Sequence, residues 1–194
     1  MNDQLPIGER ILSDRLYYRR ILPDDCTEQY WSWLVDRRVN EYLETRYYKP
    51  SIEEMRGFAA LHAFDPTYYL LGIFVRSGNL HIGNIKLSHI NFTHRFSENI
   101  SYFIGPQDRQ GQGYATEAVK CISEWGFDKL KLLRIEAGAH RSHRATIRVL
   151  EKSGYHLEST CVRKMKHAGA QEDQLIYVRF SEEEKGELNE ERNG

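Results

Sequence analysis

The stretch that most constrains this chain is Asp108-Arg109-Gln110-Gly111-Gln112-Gly113-Tyr114-Ala115-Thr116-Glu117-Ala118. Ahead of it lies Ile100-Ser101-Tyr102-Phe103-Ile104-Gly105, an apolar and aromatic run of strand type closed by Gly105-Pro106. Behind it, residues 115–122 are rich in helix formers and contain neither Gly nor Pro. The chain therefore passes from a strand through a glycine-bearing loop into a helix. Glycines just before a helix let backbone N–H groups converge on one point, and the helix N-terminus adds partial positive charge. Such a loop suits an anion, phosphate above all. It is not a P-loop, since no G-x-x-x-x-G-K-[ST] is present, and no G-x-G-x-x-G follows the strand to support a dinucleotide fold. A plain glycine turn between two core elements is the structural alternative.

Gln110-x-x-Gly113-x-Ala115 resembles the Q/R-x-x-G-x-G/A signature of the GNAT superfamily of N-acetyltransferases, and Gly113-Tyr114-Ala115-Thr116-Glu117-Ala118 is typical of it. The resemblance implies that the loop holds the pyrophosphate of acetyl-CoA as co-substrate. The cofactor-binding residues would then be Arg109, Gln110, Gly111, Gln112, Gly113, Tyr114, Ala115 and Thr116.

The rest of the chain alternates strand and helix signals. A first strand is expected over 16–22, and Asp24 or Asp25 can cap a helix running to about Arg38. Ser51 and Glu54 form a capping box that opens a second helix to about Phe64. Strands follow over 68–75, 80–92 and 98–104, with a hairpin turn at 77–79 and a polar turn at 93–97. A helix over 112–128, a strand over 132–138 and a helix over 143–152 come next, the last ended by Gly154. Two strands, 155–165 and 174–180, close the pattern. The order β-α-α-β-β-β-α-β-α-β-β resembles the GNAT fold: α+β, with a mixed, mostly antiparallel central sheet flanked by helices. Residues 1–180 read as one domain, long enough for a full core. The Glu-rich tail, 181–194, is expected to be mobile or a frayed helix.

Bulk properties narrow the function. A net charge of −1 without a long basic run gives no nucleic-acid surface. Cys26, Cys121 and Cys161 have no C-x-x-C or zinc spacing, so reduced thiols, a cytoplasmic setting and no metal are expected. No signal peptide is visible at the N-terminus, and no apolar run approaches the roughly 20 residues of a membrane span.

Residues 143–155, His143-Arg144-Ala145-Thr146-Ile147-Arg148-Val149-Leu150-Glu151-Lys152-Ser153-Gly154-Tyr155, resemble the N-x-x-S-x-x-x-L-x-K-x-G-F block of one GNAT branch. That branch contains ribosomal-protein N-terminal acetyltransferases and amino-sugar acetyltransferases. His143 stands for the usual Asn, which bonds the pantetheine arm, and Thr146 for the usual Ser; both keep hydrogen-bonding groups. A narrower run, His81-Ile82-Gly83-Asn84-Ile85-Lys86-Leu87 with Ile90-Asn91 and His94-Arg95, resembles enzymes that acetylate amino sugars on nucleotide carriers. It makes Asn84 and His94 substrate-binding candidates. A protein N-terminus is the alternative acceptor, and pairing of sheet edges would allow a homodimer.

Acetyl transfer to an amine makes three demands. The amine, with a pKa of about 10.4 if lysine-like, must lose a proton; the oxyanion needs a donor; the leaving thiolate gains from a proton source. The resemblance implies oxyanion and pantetheine contacts from backbone N–H groups at Tyr102, Phe103 and Ile104. Thr146 is the candidate acid, carried from the family's Ser, with a backbone-bonded helix hydroxyl as its alternative. Leu150 occupies the place of the tyrosine acid of many relatives, which excludes that acid there. For the base, relatives carry a carboxylate where this chain has Asn99. Glu98, expected on the opposite face, and the histidines His94 and His140 are the candidates, with surface residues as the alternative. Trp33, Tyr47 and Tyr48 are candidates for the acceptor pocket beside Trp31 and Tyr42, against core roles for the tryptophans. Arg109, Arg144 and Lys152 could meet CoA phosphates or simply be solvated. The missing Asn and strand carboxylate also admit a non-catalytic acyl-CoA sensor.

Overall fold

The computed structural model describes residues 5–183. Eight strands form one sheet: β1 (Ile11–Leu12), β2 (Leu16–Arg20), β3 (Tyr68–Val75), β4 (Leu80–Asn91), β5 (Phe96–Ile104), β6 (Arg134–His140), β7 (His156–His167) and β8 (Ala170–Phe180). Their order is β1-β2-β3-β4-β5-β6-β8-β7, and every neighbouring pair is antiparallel except β5–β6. Flanking it are the helices α1 (Glu28–Val35), α2 (Arg37–Asn40), α3 (Ile52–His62), α4 (Tyr114–Lys129) and α5 (Arg144–Lys152). This is the mixed, mostly antiparallel α+β architecture expected above.

Two cores explain the layers. On one face Ile85, Leu87 and Ile135 meet Ile122 of α4 and Leu150 of α5. On the other, Ile21 and Leu70 meet Tyr30 and Trp33 of α1 and Met55 of α3. With both faces covered, β3 is buried from Tyr69 to Val75, which is why it reads as an unbroken apolar run rather than an alternating one.

The local signals hold where the side chain commits to the backbone. Ser51 Oγ accepts from Glu54 N at 3.1 Å and the Glu54 carboxylate accepts from Ser51 N at 2.6 Å, so the capping box forms. The expected cap at Asp24 or Asp25 is corrected. Both lie in a 3-10 turn, Pro23–Asp25, where Asp25 pairs with Arg19 at 2.6 Å; Thr27 caps α1 instead. The first helix stops at Val35 because Asp36 turns to extended backbone and caps the separate α2 through Arg38 N. The final hairpin is longer than its sequence suggested, reaching Ala170 around a turn at Ala168 and Gly169. Of the expected acidic tail, 184–194 lies outside the described residues.

At the end of β5, Gly105 lies beneath the Trp33 indole. A Cβ there would stand 2.1 Å from Trp33 Cδ2. Gly105→Ala should therefore destabilise the protein by about 1–3 kcal/mol through overpacking. Urea unfolding should show a lower midpoint at unchanged slope.

Candidate active site

The loop between β5 and α4 is built to leave main-chain donors free. A 3-10 turn, Gln107–Arg109, brings the chain round, and Gly111 (φ +72°) and Gly113 (φ +82°) adopt left-handed backbone. Gly113 occupies the N-cap position and has no side chain to cap with, so the first N–H groups of α4, at Tyr114, Ala115 and Thr116, carry no cap. Gln110 has a structural job: its Nε2 donates to Ile104 O at 2.9 Å, tying the loop to the strand end.

A clamp fixes the helix start. Glu117 accepts from Ser13 Oγ at 2.7 Å, from Arg15 N at 2.8 Å and from Arg15 Nε at 2.7 Å. Arg15 also donates to Gln112 O at 3.0 Å and lies over the Tyr114 ring. Burial opposes the charge, but these hydrogen bonds hold the Glu117 carboxyl below its ordinary range. Sequence reading missed the clamp, since nothing local links residues 13–15 to a helix a hundred positions away.

Beside the loop the sheet opens. β5 and β6 pair only at Phe96↔Arg134 and Ser97↔Ile135. Gly105 N donates to Ile82 O, on the β4 side, whereas Ile104 O points the other way to Gln110. By the alternation of an antiparallel ladder, the main-chain groups of Tyr102 share the direction of Ile104, into the gap, and those of Phe103 face β4.

The start of α5 borders this opening. Thr146 Oγ1 lies 3.4 Å from the Tyr102 hydroxyl and 3.0 Å from His143 Nδ1. Burial pushes the Tyr102 phenol up to about 12, so it is a protonated donor at neutral pH. The His143 ring stacks on Tyr42, centroids 3.9 Å apart. Burial, then the nearby His140 and His167, lowers His143 to about 4 and keeps it neutral. Leu150 is buried in the core below.

Against α1 and α3 lies a cavity of about 420 Å³, walled by Tyr30, Tyr48, Phe58, Tyr68, Lys86, Ser101, Tyr102 and Phe103 among others. Against the Tyr42 ring His140 bonds Glu172, and with His167 their donor atoms lie within 4.8 Å of one another, the one such trio among the described residues. Arg46 Nη2 stands 3.4 Å from His140 Nε2, so a cationic side chain already faces this trio.

The predicted site residues divide. Tyr102, Ile104, the loop from Gln110 to Thr116, His143 and Thr146 converge on the gap, whereas the expected Phe103 N–H contact is corrected: its main chain faces β4 and its ring lines the cavity against α1 and α3. Arg109 is beside the loop but paired with Asp108 at 3.5 Å. His94 is not brought there: it is exposed in the β4–β5 turn, and the nine residues of β5 put about 25 Å between that turn and the loop. Glu98 is exposed in a second hollow of about 460 Å³ with Glu136 and Gln174, and Asn99 lines the same hollow where β5 has parted from β6, so the expected separation of the two residues is corrected. Trp33 is core, 7% exposed over Gly105. Asn84 lines the cavity, yet it is 4% exposed and satisfied by Tyr30 and His81. Tyr48 lines the cavity, whereas Tyr47 turns outward and donates to Lys166 O at 2.6 Å.

Comparison with known proteins agrees with this geometry. The family described as "Acetyltransferase (GNAT) domain" matches residues 15–156. The Bacillus subtilis protein named "Probable N-acetyltransferase YjcK" is 36% identical over 108 residues, 56% of this chain; the match spans 59% of that relative's length. A GNAT-family acetyltransferase structure from Bacillus anthracis superposes with a TM-score of 0.75 at 24% identity, covering 89% of this chain and 98% of that one. The spermidine N-acetyltransferase of Vibrio cholerae, solved with CoA and spermine, gives 0.77 at 20% identity over 87% and 96%.

The depressed His143 predicts a pH dependence of stability. Between about 4 and histidine's ordinary 6.5, the unfolded chain binds the proton that the folded one refuses. Stability should therefore fall on acidification through that window and level off below it. The difference in melting temperature between wild type and His143→Asn should shrink with falling pH, because the variant lacks this loss. A parallel pair of curves would contradict it.

Proposed function

Because this chain belongs to the GNAT family of acetyltransferases, we propose that it is an acetyl-CoA-dependent N-acetyltransferase acting on a primary amine by direct attack. The observation that carries the reading is the two-pair contact of β5 with β6, which leaves open main-chain groups beside an uncapped helix start. Acetyl-CoA supplies the thioester when bound, and the residues present fit it: the N–H groups of Tyr114, Ala115 and Thr116 suit its phosphates, and the free edge of β5 suits its pantetheine amides. The Tyr102 N–H is the donor for the developing oxyanion. Thr146 delivers a proton to the departing thiolate and recovers one from the Tyr102 hydroxyl, while neutral His143 orients the threonine. Tyr102 is re-protonated from solvent, which receives the proton the amine loses. The nitrogen–carbon bond forms as the carbon–sulfur bond breaks, and the amine's own proton leaves to solvent.

For the acceptor we favour a small ring-bearing amine, an amino sugar on a nucleotide carrier, over a protein N-terminus. A cavity of about 420 Å³ with Tyr30, Tyr48, Tyr68 and Phe103 in its walls supports a compact molecule that can stack. His94 no longer contributes to that argument. The setting is taken as the cytoplasm, where acetyl-CoA and reduced thiols coexist; among the described residues no helix is long and apolar enough to cross a membrane.

Thiol release from acetyl-CoA tests the proposal, measured across amino-sugar nucleotides, N-terminal peptides and polyamines. Release with an amino-sugar nucleotide is expected. Thr146→Ala should lower kcat by about 100-fold, with little change in KM for acetyl-CoA. CoA binding without release from any amine would replace the enzyme reading with that of an acyl-CoA sensor.

A further inference from the structure

Lys86 is the sole basic side chain in the wall of the acceptor cavity among the described residues. It projects from β4, paired with Ser101 across the ladder, on the segment of β5 that has left β6. Its ammonium has no hydrogen bond or ion pair to any described residue; its recorded neighbour is the Tyr68 ring, with Nζ 5.4 Å from the centroid. Burial lowers its pKa, and no carboxylate stands close enough to oppose that shift. Two glutamates also border the cavity, but Glu54 is committed to the Ser51 cap and neither Glu54 nor Glu44 pairs with Lys86.

A desolvated ammonium without a counter-ion is costly, and proteins do not place one in a ligand cavity without compensation. Face-on contact with one tyrosine offsets part of that cost. An anionic oxygen arriving with the ligand would offset the rest, and away from bulk water such a pair is strengthened.

Resting on the transferase reading above, we infer that Lys86 is the counter-ion for an anionic group of the acceptor, which is therefore an amine that also bears a phosphate or a carboxylate. A polyamine fails this requirement, since its second ammonium would face Lys86. A sugar amine with a phosphate or an acidic substituent meets it, with the ring against Tyr30 and Phe103 and the anion on Lys86.

The experiment compares glucosamine, glucosamine 1-phosphate, muramic acid and spermidine as acceptors for wild type, Lys86→Met and Lys86→Arg. Wild type should prefer one or both anionic sugars over glucosamine by about tenfold or more in kcat/KM. Lys86→Met should collapse that ratio toward one through the acceptor KM, and Lys86→Arg should keep part of it. The phosphate and carboxylate arms identify which anion is read. Equal use of glucosamine and the anionic sugars, preference for spermidine, or an unchanged ratio in Lys86→Met would overturn the inference. Calorimetric titration of the CoA-loaded protein with glucosamine 1-phosphate separates the two readings. Lys86-dependent binding without turnover would sustain the anion site while the transferase reading falls. Absence of binding to either anionic sugar would remove the site.

Discussion

The parallel contact between β5 and β6 lasts two residue pairs, and the site depends on where it stops. A strand buried in the middle of a sheet cannot leave its main-chain groups unpaired without cost. β5 meets this in stages: Phe96 and Ser97 pair with β6, Ile104 O is taken by Gln110, and the stretch between them faces an opening. Those open groups are what an extended, amide-bearing ligand would pair with, in effect completing the sheet. Gln110, conspicuous in the motif, therefore acts on protein backbone and frees the loop's N–H groups for the ligand.

Holding the sheet open requires that the loop not collapse into it. The Glu117 clamp does this by binding the start of α4 to the turn before β2, with three hydrogen bonds on one carboxylate. The pair with Arg15 is partly exposed, so its value lies in position more than in energy. From the other side, Trp33 covers Gly105 and prevents the strand end from shifting toward α1. Arg46 and Tyr47 then tie the segment after α2 to Lys166 O of the last hairpin.

Most of the fold was legible because its signals are local. The Ser51–Glu54 box, the apolar run of β3 and the strand-loop-helix at residues 100–122 each lie within one element and follow from backbone chemistry. Thr27 was missed as a cap because Asp24 and Asp25 present the same chemistry just before it, and Arg19, brought alongside only by folding, claims Asp25. The site was legible in its loop and in residues 143–146, where spacing along one helix fixes neighbours. It was illegible in the acceptor half. Tyr47 and Tyr48 are adjacent, yet one ties a hairpin and the other lines a cavity. Asn84 and His94 share a sequence run, but one is locked between Tyr30 and His81 and the other sits at a distant turn. Lys86 stands in the same run between the apolar Ile85 and Leu87, where nothing local marks it, and only the folded chain sets it in the cavity with α1 and α3.

The two ends of the site solve the problem of binding charge by different means. At the loop, the groups proposed for phosphates are backbone N–H groups and a helix dipole, partial charges that need no counter-ion when the ligand is absent. At the start of α5, neutrality is maintained by burial: His143 stays unprotonated between Tyr42 and Thr146, so its ring can accept from the threonine without repelling a cationic amine. In the cavity the one basic group is the full charge on Lys86, and among the described residues it has no hydrogen bond or ion pair. A full, desolvated charge binds weakly to neutral ligands and strongly to opposite ones, so it sets selectivity where the loop sets only affinity. The asymmetry between these ends thus separates what every acyl-CoA enzyme must bind from what this chain alone selects.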